Sequence, residues 1–161
     1  MENEIASNKR LTMTILMTPD LVNFAGNVHG GAILRYLDQA AYSCAARYSG
    51  NYVVTLSVDQ VFFREPIHVG ELVTFKASIN YTGKTSMEVG IKVIAEDTRS
   101  KTIRHVMSSF FTMVSVDKDR KPSDVPPLVI ENEVERRRNE QAKIRKKLRA
   151  DYEAASKAVK V

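Results

Sequence analysis

The sequence predicts an α+β fold in which a five-stranded antiparallel sheet wraps one long central helix. Three observations predict it: several segments alternate apolar and polar residues, only one segment before residue 126 has helical periodicity, and short turns join the later strands. Successive short turns imply antiparallel pairing, and one amphipathic helix covers one face of the sheet. Because one helix leaves other faces and edges open, we expect a dimer joined along an edge strand or over the helix.

The strands follow from a period-two alternation of apolar residues. They are predicted at residues 11–17, 52–64, 71–82, 85–97 and 102–116. The second strand places Val54, Leu56 and Val58 on one face, and its alternation breaks at 61–63, where we expect a bulge or bend. In the third strand, Tyr81 continues the apolar face.

The central helix is predicted from Gly31 to about Tyr48, where apolar residues recur with the spacing of one buried face. That stripe comprises Ile33, Leu34, Leu37, Ala40, Ala41, Cys44, Ala45 and Tyr48. Gly30 and Gly31 precede it, at a point where backbone can approach another group closely. Gly50 follows it and ends the helix.

The net charge of +5 belongs mainly to the C-terminal segment. Residues 1–130 carry a net charge of +1, and residues 131–161 carry +4. We therefore divide the 161 residues into a body, 1–125, and a proline-led basic tail, 126–161. Residues 131–150 contain strong helix formers but only a thin apolar stripe, so we expect a solvated helix that docks weakly or not at all on its own chain.

Composition excludes several classes of protein. No apolar run reaches the ~18–20 residues of a membrane helix, and the N-terminus lacks the apolar core of a signal peptide. The single cysteine, Cys44, lies in the helical stripe and is interpreted as a small buried hydrophobe, not a nucleophile. His29, His68 and His105 lack metal-ligand spacing, so no metal is expected. We expect a cytoplasmic protein that needs no cofactor.

Asp38 breaks the apolar pattern of the central helix. It is either an aspartate at the margin of the stripe that reaches solvent, or a general base or nucleophile held in a cleft. The unpaired backbone N–H groups at the helix N-terminus suit an oxygen that becomes negative during acyl transfer, although a tight helix entry without a ligand explains Gly30 and Gly31 equally well. Asp38 lies ~10.5 Å along the axis from Gly31, a spacing natural for a site shared by two subunits.

The same stretch resembles the active-site segment of the hotdog-fold acyl-CoA thioesterases, in particular the bacterial members related to brain acyl-CoA hydrolase. The matching residues of this segment are Asn23, Gly26, Asn27, Val28, His29, Gly30, Gly31, Ile33, Leu34, Asp38, Ala40 and Ala41. Residues 57–70 and 83–89 are also similar to that family, as is the proline pair before an arginine-rich helix. The resemblance covers roughly residues 10–150.

The resemblance implies that the chain hydrolyses a fatty acyl-CoA to a free acid and coenzyme A. It implies a dimer as the minimal active unit and a trimer of dimers as the larger assembly. Asn23 and Asp38 correspond to the paired catalytic residues, contributed by opposite subunits. Asp38 activates water or attacks the thioester carbon, Asn23 positions the water or the carbonyl, and the Gly30 and Gly31 amides bind the thioester oxygen.

Coenzyme A also needs partners for its phosphates and its pantetheine arm. Arg64, Lys84, Thr85 and Ser86 are candidates for the phosphates, because cationic and hydroxyl donors suit phosphate oxygens. From residue types alone, an ordinary hairpin turn explains 83–86 at least as well. By analogy with the family, Ser57 and Asp59 lie near the pantetheine. His29 stands where many relatives have Phe, and a structural role is favoured over a role in the site.

Three other functions fit parts of the sequence. A non-catalytic acyl-CoA sensor on the same fold has no need of Asn23 and Asp38. A hotdog dehydratase requires an acid–base histidine, and only His29 is near Asp38 in sequence. An interaction protein whose tail binds nucleic acid or an anionic membrane fits the eight basic residues in 136–149, but the tail lacks interleaved aromatics and a strong amphipathic face. We therefore expect neither nucleic acid nor membrane as a partner.

Overall fold

The computed structural model describes residues 8–159, so the start of the predicted body, 1–7, and the end of the predicted tail, 160–161, lie outside the described residues. It contains five strands and two long helices, with a short 3-10 turn after the first strand. In chain order they are β1 Arg10–Leu16, the turn Pro19–Leu21, α1 Gly30–Ser49, β2 Tyr52–Val58, β3 Leu72–Thr82, β4 Ser86–Asp97, β5 Thr102–Val116 and α2 Glu133–Ala158.

All five strands form one antiparallel sheet in the order β1-β3-β4-β5-β2, and α1 contacts every strand. The predicted sheet around a central helix is thus confirmed. The connection from β2 to β3 is the exception to the expected short turns. Predicted strand 52–64 ends at Val58, and residues 59–71 form no regular structure. This long segment lets β2 pair with β5 at the sheet edge and not with β3.

The inner face of the sheet, the face toward α1, carries the core. Alternating apolar residues of β3, β4 and β5 are buried there, and Phe75, Met87 and Phe111 are among the largest of them. Two details differ from the sequence prediction. A register shift after Ile79 places Tyr81 opposite Glu88, which is on the outer face. Strand β2 buries Val53 and leaves exposed the three apolar residues, from Val54 to Val58, that were predicted to share a face.

Helix α2 packs on the outer face of the sheet, so the expectation of weak or absent docking is wrong. Arg145 donates two hydrogen bonds to the buried carboxylate of Glu88, at 2.6 and 3.1 Å. Arg149 does the same to Asp59, at 2.8 and 2.9 Å. Ala142 is the one buried residue of α2. The contacts that dock α2 are ion pairs and hydrogen bonds. The prediction of weak docking considered only the thin apolar stripe and therefore missed them.

Neither helix described between residues 8 and 159 is both long enough and apolar enough to cross a membrane. Within that range, no three His, Cys, Asp or Glu side chains are grouped in a way that could hold a metal ion.

Candidate active site

The segment between β1 and α1 is a compact loop that presents Asn23 beside the start of α1. The Asn23 side-chain oxygen accepts hydrogen bonds from the backbone N–H groups of Ala25 and Asn27, at 2.9 and 3.2 Å. Because two N–H donors face that atom, it must be the amide oxygen, and the Asn23 NH₂ group is on the opposite side. Val28 N–H donates to the Ile67 carbonyl at 2.8 Å, which ties this loop to residues 59–71.

The first two backbone N–H groups of helix α1, those of Gly30 and Gly31, differ in their hydrogen bonding. His29 is its N-cap, and its Nδ1 accepts a hydrogen bond from the Gly31 N–H at 2.9 Å. This hydrogen bond gives His29 a structural role at the helix entry. Within residues 8–159 the Gly30 N–H has no hydrogen-bond acceptor. The start of α1 thus offers one open amide at Gly30 and one amide at Gly31 that His29 occupies.

Gly30 lines a cleft of about 280 Å³. A Cβ atom at Gly30 would lie 3.4 Å from the ring of Phe63, an ordinary van der Waals contact, so that ring packs directly over the start of α1. Asn23, Arg64 and Met107 line the same cleft. Its walls therefore come from the loop before α1, from residues 59–71 and from β5, and they combine polar and apolar side chains.

A salt-bridge cluster fixes residues 65–71 at the rim of this cleft. The Arg104 guanidinium donates to both oxygens of the buried Glu71 carboxylate, at 2.7 and 3.0 Å, and to Glu65 at 3.0 Å. It also donates to the Pro66 carbonyl. Glu71 in turn accepts from the His68 N–H. The Glu71 carboxylate raises the pKa of Arg104, so the guanidinium remains charged and the segment that carries Phe63 and Ile67 is held at three points.

Asp38 lies on an exposed stripe of α1, outside this cleft. Leu34, Asp38 and Tyr42 follow each other at intervals of four residues, and all three are exposed. Thr55 Oγ1 of β2 donates to Asp38 Oδ1 at 2.6 Å, and Tyr42 packs edge-on against Tyr52 of β2. The carboxylate is thus oriented by a hydroxyl of the edge strand.

The exposed stripe of α1 lies beside the edge strand β2, and Tyr52 at the start of that strand is 61% exposed. Leu56 of the same strand is 68% exposed and lines a groove under α2. An open strand edge beside apolar side chains is a surface that another chain can cover. Asp38 therefore lies on a face suited to self-association, and Gly30 is at the start of the same helix.

The six residues predicted to contact coenzyme A are divided between two places. Arg64 is beside Gly30. Ser57 and Ser86 line a groove of about 450 Å³ under α2, and Lys84 and Thr85 belong to the adjacent β3–β4 turn. The turn is near the end of β5 that holds Val114, about seven residues or ~23 Å along the strand from Met107. Asp59 is paired with Arg149. One protomer does not bring all six together.

Cys44 has the environment predicted for it. Its side chain is buried, and burial raises the pKa of its thiol to about 12. A thiol with such a pKa is not a nucleophile near neutral pH.

Three features of the site were missed from sequence: the contact of Phe63 with Gly30, the Thr55–Asp38 hydrogen bond and the Arg104–Glu71 cluster. The signal for Thr55 was present, since it is a polar residue on the inner face of an edge strand. The signal for Phe63 was the break in alternation at 61–63. Arg104 and Glu71 lie 33 residues apart, and no local pattern links them.

Comparison with known proteins agrees with this architecture. Residues 25–102 match the family model of the thioesterase superfamily. Protein VdlD of Helicobacter pylori is 48% identical over 146 residues, which cover 91% of this chain and 83% of that protein. The uncharacterized acyl-CoA thioester hydrolase YkhA of Bacillus subtilis is 32% identical over 134 residues, which cover 83% of this chain and 78% of that protein.

Two solved structures extend the comparison. The acyl-CoA hydrolase from Staphylococcus aureus, in complex with butyryl coenzyme A and coenzyme A, has a TM-score of 0.86 and 28% identity and covers 94% of this chain and 93% of its own. Cj0915 of Campylobacter jejuni, a hexameric hotdog fold thioesterase, has a TM-score of 0.66 and 33% identity and covers 71% and 88%.

Solved structures of the Staphylococcus aureus hydrolase include variants in which an asparagine, an aspartate or a threonine is replaced by alanine. Those three positions are 15 and 17 residues apart, the same intervals that separate Asn23 from Asp38 and Asp38 from Thr55 here. Together with the sheet wrapped around α1, these similarities establish that the chain belongs to the thioesterase superfamily and has the hotdog fold.

Proposed function

We propose that this chain is an acyl-CoA thioester hydrolase whose active site is shared between two copies. The observation that carries the proposal is the position of Asp38, which Thr55 orients on the exposed face of α1 beside the edge strand β2 and outside the cleft that holds Asn23 and Gly30. The activity named for YkhA and for the Staphylococcus aureus hydrolase supports the reaction. The equal spacing of the three residues changed in the latter supports the assignment.

In the proposed dimer, the edge strand β2 and the exposed stripe of α1 meet their counterparts in the partner. The partner subunit's Asp38 then lies across the interface from Asn23 and Gly30. Burial of Leu34, Tyr42 and Tyr52 supplies the driving force, since apolar surface removed from water contributes roughly 25 cal/mol per Å². The hexameric state of Cj0915 supports assembly of such dimers into a trimer of dimers.

The chemistry follows from the charge that the thioester carbonyl develops. The open Gly30 N–H, at the positive end of α1, stabilises the oxygen as it becomes negative. The Asn23 NH₂ group positions the water or the carbonyl. In one route the partner subunit's Asp38 takes a proton from water, the hydroxyl oxygen bonds to the carbonyl carbon, and the coenzyme A sulfur leaves and receives the proton.

In the second route the Asp38 carboxylate attacks the carbonyl carbon and the thiolate leaves. The resulting anhydride is hydrolysed by water. Measuring the intact protein mass after rapid quenching separates the routes: an added acyl mass on Asp38 selects direct attack, and its absence during turnover favours water activation.

The Gly31 amide becomes available only when His29 releases it. We propose that the thioester oxygen replaces His29 Nδ1 as the acceptor of that N–H, so that both amides contact the oxygen in the transition state. Arg64 is the proposed phosphate contact at the cleft. Lys84, Thr85 and Ser86 then contact the same coenzyme A only if they come from another protomer, and the hairpin-turn interpretation stays open for them. The cytoplasmic location stays a prediction.

The first test is release of free thiol from a panel of acyl-CoA substrates of increasing chain length. Asp38→Asn and Asn23→Ala should each lower kcat by about 100-fold or more, as expected for loss of a general base or of a group that positions the reactants. Asp97→Asn, which also removes one surface carboxylate, is the matched control and should keep wild-type turnover. A wild-type protein that binds acyl-CoA without releasing thiol would instead be a sensor.

A further inference from the structure

Two lysines of the outer sheet face are direct cross-strand neighbours. Lys76 of β3 pairs with Lys92 of β4, and both side chains are exposed. Like charges directly opposite one another destabilise a sheet. Neither lysine has a carboxylate within ion-pair distance among the described residues. The repulsion between them is therefore uncompensated inside the protomer.

Helix α2 adds two further cations to the same place. Arg137 and Arg138 line, together with Lys76 and Lys92, a groove of about 180 Å³ between α2 and the sheet. Within residues 8–159 neither arginine has an ion-pair partner. Burial lowers the pKa of Arg138, and the neighbouring Arg10 and Arg137 guanidinium groups lower it further. Repulsion among cations is thus a property of the whole groove.

The acidic groups near this groove are already engaged. Glu88 accepts hydrogen bonds from Arg145 and from the Asn80 side chain. Glu135 accepts from Lys9 and Arg10. Neither carboxylate can neutralise the four cations without giving up a short ion pair. Among the described residues, the protomer therefore provides no carboxylate that neutralises the cations of the groove.

We propose that this groove binds the pyrophosphate group of a phosphorylated small molecule. Two guanidinium groups offer planar pairs of donors and two ammonium groups offer point charges, a combination that suits several phosphate oxygens. Ser78 and Gln141 line the groove and add neutral polar groups. Its volume admits a group of pyrophosphate size. Free pyrophosphate and a nucleotide share this chemistry, and the site does not depend on Asp38 or on the proposed hydrolysis.

The test is calorimetric titration of the full-length protein with inorganic pyrophosphate and, separately, with ADP. Both should bind the wild-type protein. Equal affinities identify the pyrophosphate group as the recognised part, and tighter binding of ADP identifies a nucleotide as the source. In the variant Lys76→Gln/Lys92→Gln, both affinities should fall by about tenfold or more, since two charge-assisted contacts are lost.

The matched control is Lys118→Gln/Lys121→Gln, which removes the same charge from an exposed turn and should bind like wild type. Without added anion, Lys76→Gln/Lys92→Gln should be at least as stable to heat as wild type, because cross-strand repulsion is removed. Absence of pyrophosphate binding to the wild type, or equal binding by the two double variants, overturns the proposal. A lower oligomer mass of Lys76→Gln/Lys92→Gln without any pyrophosphate binding assigns the groove to a second copy and also overturns it.

Discussion

The two helices pack on opposite faces of the same sheet by different means. Helix α1 buries seven residues against the inner face, all apolar or aromatic, whereas α2 buries only Ala142 and is held by Arg145 and Arg149. The apolar stripe of α1 is visible as a local period in the sequence. The partners of the α2 arginines are 57 and 90 residues away, so no local pattern reveals them. Apolar docking is readable from sequence, and docking through distant ion pairs is not.

The largest expected effect concerns the apolar contact of α1. Leu37 is fully buried, so Leu37→Ala should lower the free energy of unfolding by about 2–5 kcal/mol, through lost burial and the cavity left behind. Leu148→Ala removes the same atoms from a residue of α2 that is 60% exposed, and it should cost less than about 0.5 kcal/mol. Urea unfolding measures both, and equal losses would remove the distinction between the two helices.

The polar contact of α2 should break at Arg145. Arg145→Met leaves the buried Glu88 carboxylate without its hydrogen-bonded guanidinium and with only the Arg149 cation, 3.9 Å away, and we expect a loss of about 1–3 kcal/mol, the cost of an unsatisfied buried polar group. Adding Glu88→Gln should recover part of that loss, because the uncompensated charge disappears. Thermal unfolding of the two variants provides the measurement. If Arg145→Met is as stable as wild type, α2 is not held by this pair.

A comparable effect on stability, and a clear one on activity, is expected at Arg104, because Arg104 pairs with the buried Glu71 as Arg145 pairs with Glu88. Arg104→Met releases residues 65–71, and with them Phe63 and the Ile67 carbonyl that anchors the loop before α1. We expect kcat/KM to fall by about tenfold, since the reacting groups are less well positioned. Arg104→Lys should recover part of the loss, and the exposed Arg99→Met is the control. Unchanged kcat/KM with Arg104→Met would restrict the cluster to a structural role.

A change at His29 should affect stability and catalysis differently. His29→Ala removes the N-cap of α1 and should cost about 1 kcal/mol of stability. It also frees the Gly31 N–H, so kcat should not fall if that amide contacts the thioester oxygen. Parallel thermal unfolding and thiol-release assays compare the two effects. A large fall in kcat with little loss of stability would instead make His29 a polar group of the site.

The smallest effect is expected at Cys44. A pKa raised to about 12 by burial means that the thiol stays protonated through neutral pH and reacts only as the pH approaches that value. The folded protein should therefore take up no thiol reagent at pH 7–8, and one equivalent after denaturation. Rapid labelling of the native protein would show that Cys44 is accessible and that the core around it opens.

As with the two helices, some features of the candidate site follow from a local stretch of sequence, and others depend on residues that are far apart in the chain. Asn23, Gly30 and Asp38 are within one stretch of sequence, so their residue types and spacing are enough to indicate a site. Thr55, Phe63 and Arg104 contribute through contacts made only after β2 and the 59–71 segment take their places. The prediction for β2 failed for the same reason: the position of α1, and not the local alternation, decides that Val53 is buried while Val54, Leu56 and Val58 are exposed.

The most direct test of a shared site is to mix two inactive variants, Asn23→Ala and Asp38→Asn. In a two-fold dimer, exchange of subunits places both changes in one site of the heterodimer and leaves the other site intact. Denaturing and refolding an equimolar mixture should restore about one quarter of wild-type thiol release, because half of the dimers are mixed and each has one intact site. Activity that stays at the level of the separate variants would contradict the shared site and place Asn23 and Asp38 in one protomer's own site.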